Sequence, residues 1–177
     1  LHHLAAASYN CKRFGEAIGL WEDLKNIDKD SFVADYYCKI AKKTISKKRF
    51  EPIAYNYQLP KNEITRRVRE IHYFLSLPKN ESKEYLSKDN NIKEFIYFGI
   101  IFDTNVIRKE VFRKIKIENL IELEPILRKY LLRTDIEKKA KIEAVFLLSI
   151  IGAKEPYKVK FDDEVQQIAI EPQEIRE

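Results

Sequence analysis

Between Leu4 and Asp28 the chain reads LAAASYNCKRFGEAIGLWEDLKNID, and that stretch limits the fold more than any other. Small residues Ala5, Ala6 and Ala7 let one helix approach another closely. Tyr9 and Phe14 add bulk, and Lys12 and Arg13 fill a break. After Glu16, the residues Ala17, Leu20, Trp21 and Leu24 recur at i, i+3, i+4 and i+7, one face of a second helix. Ala17 is expected where the two helices cross, with Trp21 as the large plug beside it. Paired helices of this kind keep an apolar flank until another pair stacks on them. The expected fold is therefore all-α, an array of helical hairpins.

The pattern continues downstream. Asp30 and Ser31 can cap a third helix, because their side-chain oxygens accept orphan backbone N–H groups; it carries Phe32, Val33, Tyr36, Tyr37, Ile40 and Ala41. Lys39 to Arg49 is a basic run without an acid. At Glu51-Pro52 the helical pattern breaks, and the aromatic-rich IAYNYQL segment between Pro52 and Pro60 reads as an extended linker packed on the helices. Pro60 suits the start of a helix with Ile64, Val68, Ile71 and Leu75 on one face and Arg66, Arg67 and Arg69 on the others. Pro78 ends it, and a short helix follows around Glu81 to Ser87. Asn91 with Glu94, and Thr134 with Glu137, have capping-box spacing. Asp103 and Thr104 can cap a helix bearing Ile107, Val111 and Ile115. Pro125 begins another through Leu132, and Ile142, Val145, Phe146 and Ser149 mark the last, stopped by Gly152.

Tyr157, Val159 and Phe161 then alternate, Asp162-Asp163 make a turn, and Val165 to Ile170 alternate again, a β-hairpin expected to lie on the helices. Glu171, Glu174 and Glu177 make a frayed acidic end. The expected divisions are residues 1–50, a helical-repeat region; 51–60, the linker; 61–153, a second helical region; 154–171, the hairpin tail; and 172–177, the acidic end.

The first 30 residues or so resemble a tetratricopeptide (TPR) unit. Leu4 and Ala5 fall where leucine and glycine usually stand, Ala7 at an alanine site and Phe14 at an aromatic one. Ala17 takes the most diagnostic alanine, Trp21 the aromatic after it, and Asp28-Lys29 the usual aspartate-proline close. The second half looks like HEAT-type helical pairs. The layout, with its GAKEPY tail at Gly152 to Tyr157, is similar to clostridial TPR proteins in which repeats precede further helices. Some of those carry a chaperone J domain; this chain has no His-Pro-Asp motif. The resemblance implies a non-enzymatic protein-protein interaction scaffold.

It also implies a groove lined by the first helix of each repeat. In this register the lining is His2, Ala6, Tyr9 and Asn10, then Val33, Tyr36, Ile40 and Lys43. The lysines and asparagines that clamp a peptide's terminal carboxylate are missing, since His2, Ala6, Val33 and Tyr37 hold those places. Binding of a protein or peptide is therefore expected through aromatic and apolar contacts, with weak salt dependence. The alternative is that Tyr9 and Tyr36 pack against the next segment.

A length of 177 residues fits one domain or two small ones. Four glycines and six prolines suit a helical protein. The longest apolar run, Ala144 to Ile151, is far short of the roughly 20 residues of a membrane span. Cys11 and Cys38 fall in helical patterns and are expected as two buried thiols in a reducing cytoplasm. The first residue is Leu1 and no methionine occurs, so a piece of a longer bacterial protein is expected. His2, His3 and His72 lack the spacing of a zinc site. No nucleophile elbow or phosphate loop occurs, so neither a cofactor nor an enzyme activity is expected. Net charge +5 and pI about 9.0, with aromatics beside the basic run, make a nucleic-acid-binding solenoid the rival reading. A third is a structural tail for an upstream domain.

Overall fold

The computed structural model describes residues 1–28, 31–102, 106–162 and 164–170. Among them the chain forms α1 (His2–Asn10), α2 (Phe14–Ile27), α3 (Phe32–Lys47), α4 (Lys61–Ser76), α5 (Lys79–Lys88), α6 (Asn90–Phe102), α7 (Val106–Glu118), a 3₁₀ turn (Ile121–Leu123), α8 (Glu124–Leu131) and α9 (Lys138–Ile150). Strands β1 (Tyr157–Phe161) and β2 (Glu164–Ile168) follow. The fold is all-α with a small antiparallel hairpin. It divides into two compact units, Leu1–Ile64 and Thr65–Glu177, with the division inside α4. No described helix is long and apolar enough to cross a membrane.

In the first unit α2 packs on both α1 and α3. The core is Ala5, Tyr9, Ala17, Trp21, Ala34, Tyr37, Cys38 and Ala41. Ala17 and Trp21 are fully buried, as the i, i+4 pairing of a small and a large residue requires for close helices. The Trp21 ring stacks on Tyr37 at 5.7 Å between centroids. Ser31 caps α3 by accepting the Ala34 N–H at 3.2 Å; Lys29 and Asp30 lie outside the described residues. Cys11 ends α1 and is exposed, because the apolar face of α1 turns away from it; Cys38 is buried, and both thiols are free.

In the second unit α6 is the central helix. Phe95 to Ile100 are all buried, so no polar stripe remains. α6 packs on α5, α7 and α8. Gly99 is where the packing is closest: a Cβ there would stand 2.7 Å from Ile71 Cδ1 and 3.1 Å from Ile107 Cγ2. Valine at this position has to displace both isoleucines. Gly99→Val is expected to cost about 1–3 kcal/mol by overpacking, read as a lower denaturation midpoint.

Four local expectations shift. On α4, Ile64 is exposed while Arg67, Ile71 and Phe74 are buried. The Arg67 guanidinium lies 5.3 and 5.2 Å from the Phe95 and Phe98 rings, so an arginine fills a core position by stacking. At the start of α6, Asp89 rather than Asn91 is the acceptor, taking the Asn91 backbone N–H at 2.8 Å. The Thr134–Glu137 box does not form: α9 starts at Lys138 with no side-chain cap, and the loop closes through two Arg133–Asp135 bonds of 2.7 and 2.6 Å. On α9, Ile142 and Phe146 are 39% and 54% exposed. The buried residues are Ala140, Lys141, Ala144, Val145, Leu147 and Leu148, of which Val145 was expected; this face lets α9 approach α7 and α8 and carries the Lys141 ammonium to the carbonyls of Arg133 and Lys160. The proposed caps Asp103 and Thr104 lie outside the described residues.

Gly152 stops α9 as expected. Its φ of +77° sits in the left-handed region, and Gly152 N–H and Ala153 N–H donate back to Ser149 and Leu148 carbonyls. The hairpin pairs Tyr157 with Ile168 through to Phe161 with Glu164. Tyr157 and Val159 are buried, and β1 rests on α8 and α9. Asp163 and the acidic residues from Glu171 onward lie outside the described residues.

Candidate functional site

Residues Lys48 to Pro60 run without helix or strand and belong to the first unit. They form a strap fixed to the helices at several points. Phe50 packs on Tyr9 and Phe14 at 5.6 and 6.0 Å. The Asn10 side chain reads the main chain of Ile53 twice: its Nδ2 donates to the Ile53 carbonyl at 2.9 Å and its Oδ1 accepts the Ile53 N–H at 2.9 Å. Tyr37 hydroxyl donates to the Gln58 carbonyl at 3.3 Å. The Tyr57 hydroxyl meets Ser31 Oγ, and its ring lies 4.9 Å from His2. An extended segment is thus held by side-chain amide and hydroxyl groups, as a bound peptide is.

Beside the strap lies a cavity of about 610 Å³. Its helical wall is Tyr36, Ile40, Lys43 and Lys47, spaced four, three and four residues apart and so on one stripe of α3. The strap wall includes Pro52, Ile53, Asn56 and Gln58. Arg49, Glu51 and Asn62 also line it.

The expected groove residues divide into three groups. Tyr36, Ile40 and Lys43 line the cavity and retain exposure. Asn10 is half-buried and anchors the strap, and Val33 is half-buried outside the lining. His2, Ala6 and Tyr9 were expected on an exposed lining; they are buried, with Tyr9 only 1% exposed. Tyr9 edges the cavity, but its hydroxyl is bonded to Thr44 Oγ1 at 2.8 Å and its ring packs in the core. Bulky aromatics on α1 can close a small unit's core where one strap supplies the covering rings. Lys47 continues the spacing from Tyr36 and could have been found that way. Asn56 and Gln58 could not, because helical periodicity says nothing of a strap.

His2 is built into this core. Its Nδ1 accepts Trp21 Nε1–H at 3.2 Å, so the neutral ring is the form that fits. Burial pushes its pKa below the ordinary 6.5. A folded pKa lowered below the unfolded value means that stability is complete above 6.5 and declines as pH falls from there toward the folded pKa. Unfolding followed by the fluorescence of Trp21 is therefore expected to need less denaturant at a pH of about 5 than above 7, and His2→Gln should flatten that slope.

Half of the six cations of the basic run are paired with carboxylates. Lys39 bonds Asp35 at 2.7 Å, Lys42 bonds Glu22 at 2.7 Å, and Arg49 bonds Glu51 at 2.8 Å. Burial pushes the Asp35 carboxyl up, but bonds from Lys25 and Lys39 outweigh it and hold the pKa below the usual range. Lys43 and Lys47 make no ion pair with any described residue.

No family model, curated protein or solved structure matches this chain.

Proposed function

We propose that the first unit is a non-enzymatic interaction module of the TPR type, docking a protein segment in the cavity between α3 and the strap. The observation that carries this reading is the stripe of half-exposed Tyr36 and Ile40 and exposed Lys43 and Lys47 facing a preformed space. A half-exposed tyrosine gives a partner large apolar area, a polar tip and few rotors to freeze. The free thiols Cys11 and Cys38 suit a reducing cytoplasm. Pairing of Lys39 and Lys42 with carboxylates weighs against the nucleic-acid rival, whose affinity needs cations free to replace counterions.

The test is Tyr36→Ala in the full chain. Peptides selected from a displayed library on the parent protein should bind the variant about tenfold or more weakly, the scale of a hot spot. The Trp21 fluorescence melt should stay nearly unchanged. A large loss of stability with no separate binding defect would mean that Tyr36 only packs.

A further inference from the structure

Resting on that docking reading, we infer that the cavity takes an extended acidic peptide with an apolar anchor. The geometry is polarised along α3. Tyr36 and Ile40 stand earlier on α3; Lys43 and Lys47 stand on its last turns, with Arg49 just beyond. Three cations there face a single carboxylate of the lining, Glu51. Among the described residues that carboxylate pairs with Arg49 alone, with side chains 82% and 72% exposed, so it is held weakly. A ligand carboxylate has two lysines without a described anion to meet, and a third cation whose present partner is easily displaced. The lining also carries the amides of Asn56, Gln58 and Asn62. Asn10 already shows in this unit what a side-chain amide does with an extended main chain, bonding both the N–H and the carbonyl of Ile53.

The same features disfavour a nucleic-acid occupant. Base stacking needs open aromatic faces. The rings of Tyr9 and Tyr37 are buried in the core, leaving Tyr36 as the accessible ring of the lining. Complementary charge across the site then sets selectivity and encounter rate, while the apolar end sets register.

The experiment uses the full chain and fluorescein-labelled peptide pools. In each pool two positions are randomised among leucine, isoleucine, phenylalanine, tyrosine and valine, followed by three glutamates, three glutamines or three lysines. Anisotropy should show the glutamate pool binding about tenfold or more tightly than the glutamine pool at low salt, with the difference shrinking as salt rises. Lys43→Glu combined with Lys47→Glu should reverse the preference toward the lysine pool. Both side chains are exposed, so the Trp21 fluorescence melt should not move. Glu51→Gln should strengthen glutamate-pool binding. Equal binding of glutamate and glutamine pools that remains sensitive to Tyr36→Ala overturns the acidic preference and leaves the docking site. Failure of every pool to bind overturns both. A single-stranded oligonucleotide of equal charge that competes as well as the glutamate pool overturns the peptide assignment.

Discussion

Trp21→Ala is expected to remove most of the stability of the first unit. The ring is fully buried, stacks on Tyr37 at 5.7 Å, lies 6.1 Å from Tyr9 and donates its Nε1–H to His2. Truncation loses the transfer free energy of the indole and leaves a cavity that Ala17 and Ala34 are too small to fill, at about 3–5 kcal/mol. A unit of this size has only several kcal/mol in total. The expected fall in melting temperature is about 15 °C or more, followed by helical circular dichroism because the variant lacks the fluorophore. A change of a degree or two would mean that the ring is not the plug between these helices.

Lys114→Met should be nearly as costly in the second unit, for an electrostatic reason. Lys114 Nζ bonds Glu118 Oε1 at 2.6 Å and the Leu77 carbonyl at 2.7 Å, and both charged side chains are only 8% exposed. Methionine keeps the volume and removes the charge. It leaves the Glu118 carboxylate buried without its cation, at about 3–5 kcal/mol. Replacing both partners removes the stranded charge. The double variant Lys114→Met with Glu118→Leu is therefore expected to recover much of that loss, leaving mainly the unmet Leu77 carbonyl. Equilibrium denaturation of the two single variants and the double one gives the coupling directly. If the single variant loses under about 1 kcal/mol, the pair is not shielded as its burial indicates.

The sequence made the helical hairpin legible because Ala17 and Trp21 mark a close crossing by size alone, and Gly152 marks a stop by backbone freedom alone. The β-hairpin was readable in the alternation of Tyr157, Val159 and Phe161. Helix faces were less readable wherever a charged residue is buried by a particular partner. Arg67 stacks on two phenylalanines and Lys141 reaches two carbonyls, and neither partnership has a local signature. Gly99 has no local signature, because its role comes from Ile71 and Ile107, which approach from other helices. At the candidate site, Tyr36, Ile40 and Lys43 followed from helical register. Burial of His2 and Tyr9 did not, because the strap that covers them is joined to α1 by a contact 43 residues apart, Asn10 with Ile53.

Docking as proposed needs α3 and a fixed strap to present a ready surface. Backbone amide shift mapping of the full chain against a peptide from the displayed library tests it most directly. Shifts are expected at Tyr36, Ile40, Lys43, Lys47, Ile53, Asn56 and Gln58, with the Asn10 side-chain amide nearly unmoved. Shifts centred elsewhere on the chain, or largest at Asn10 as the strap is displaced, would contradict a fixed docking surface.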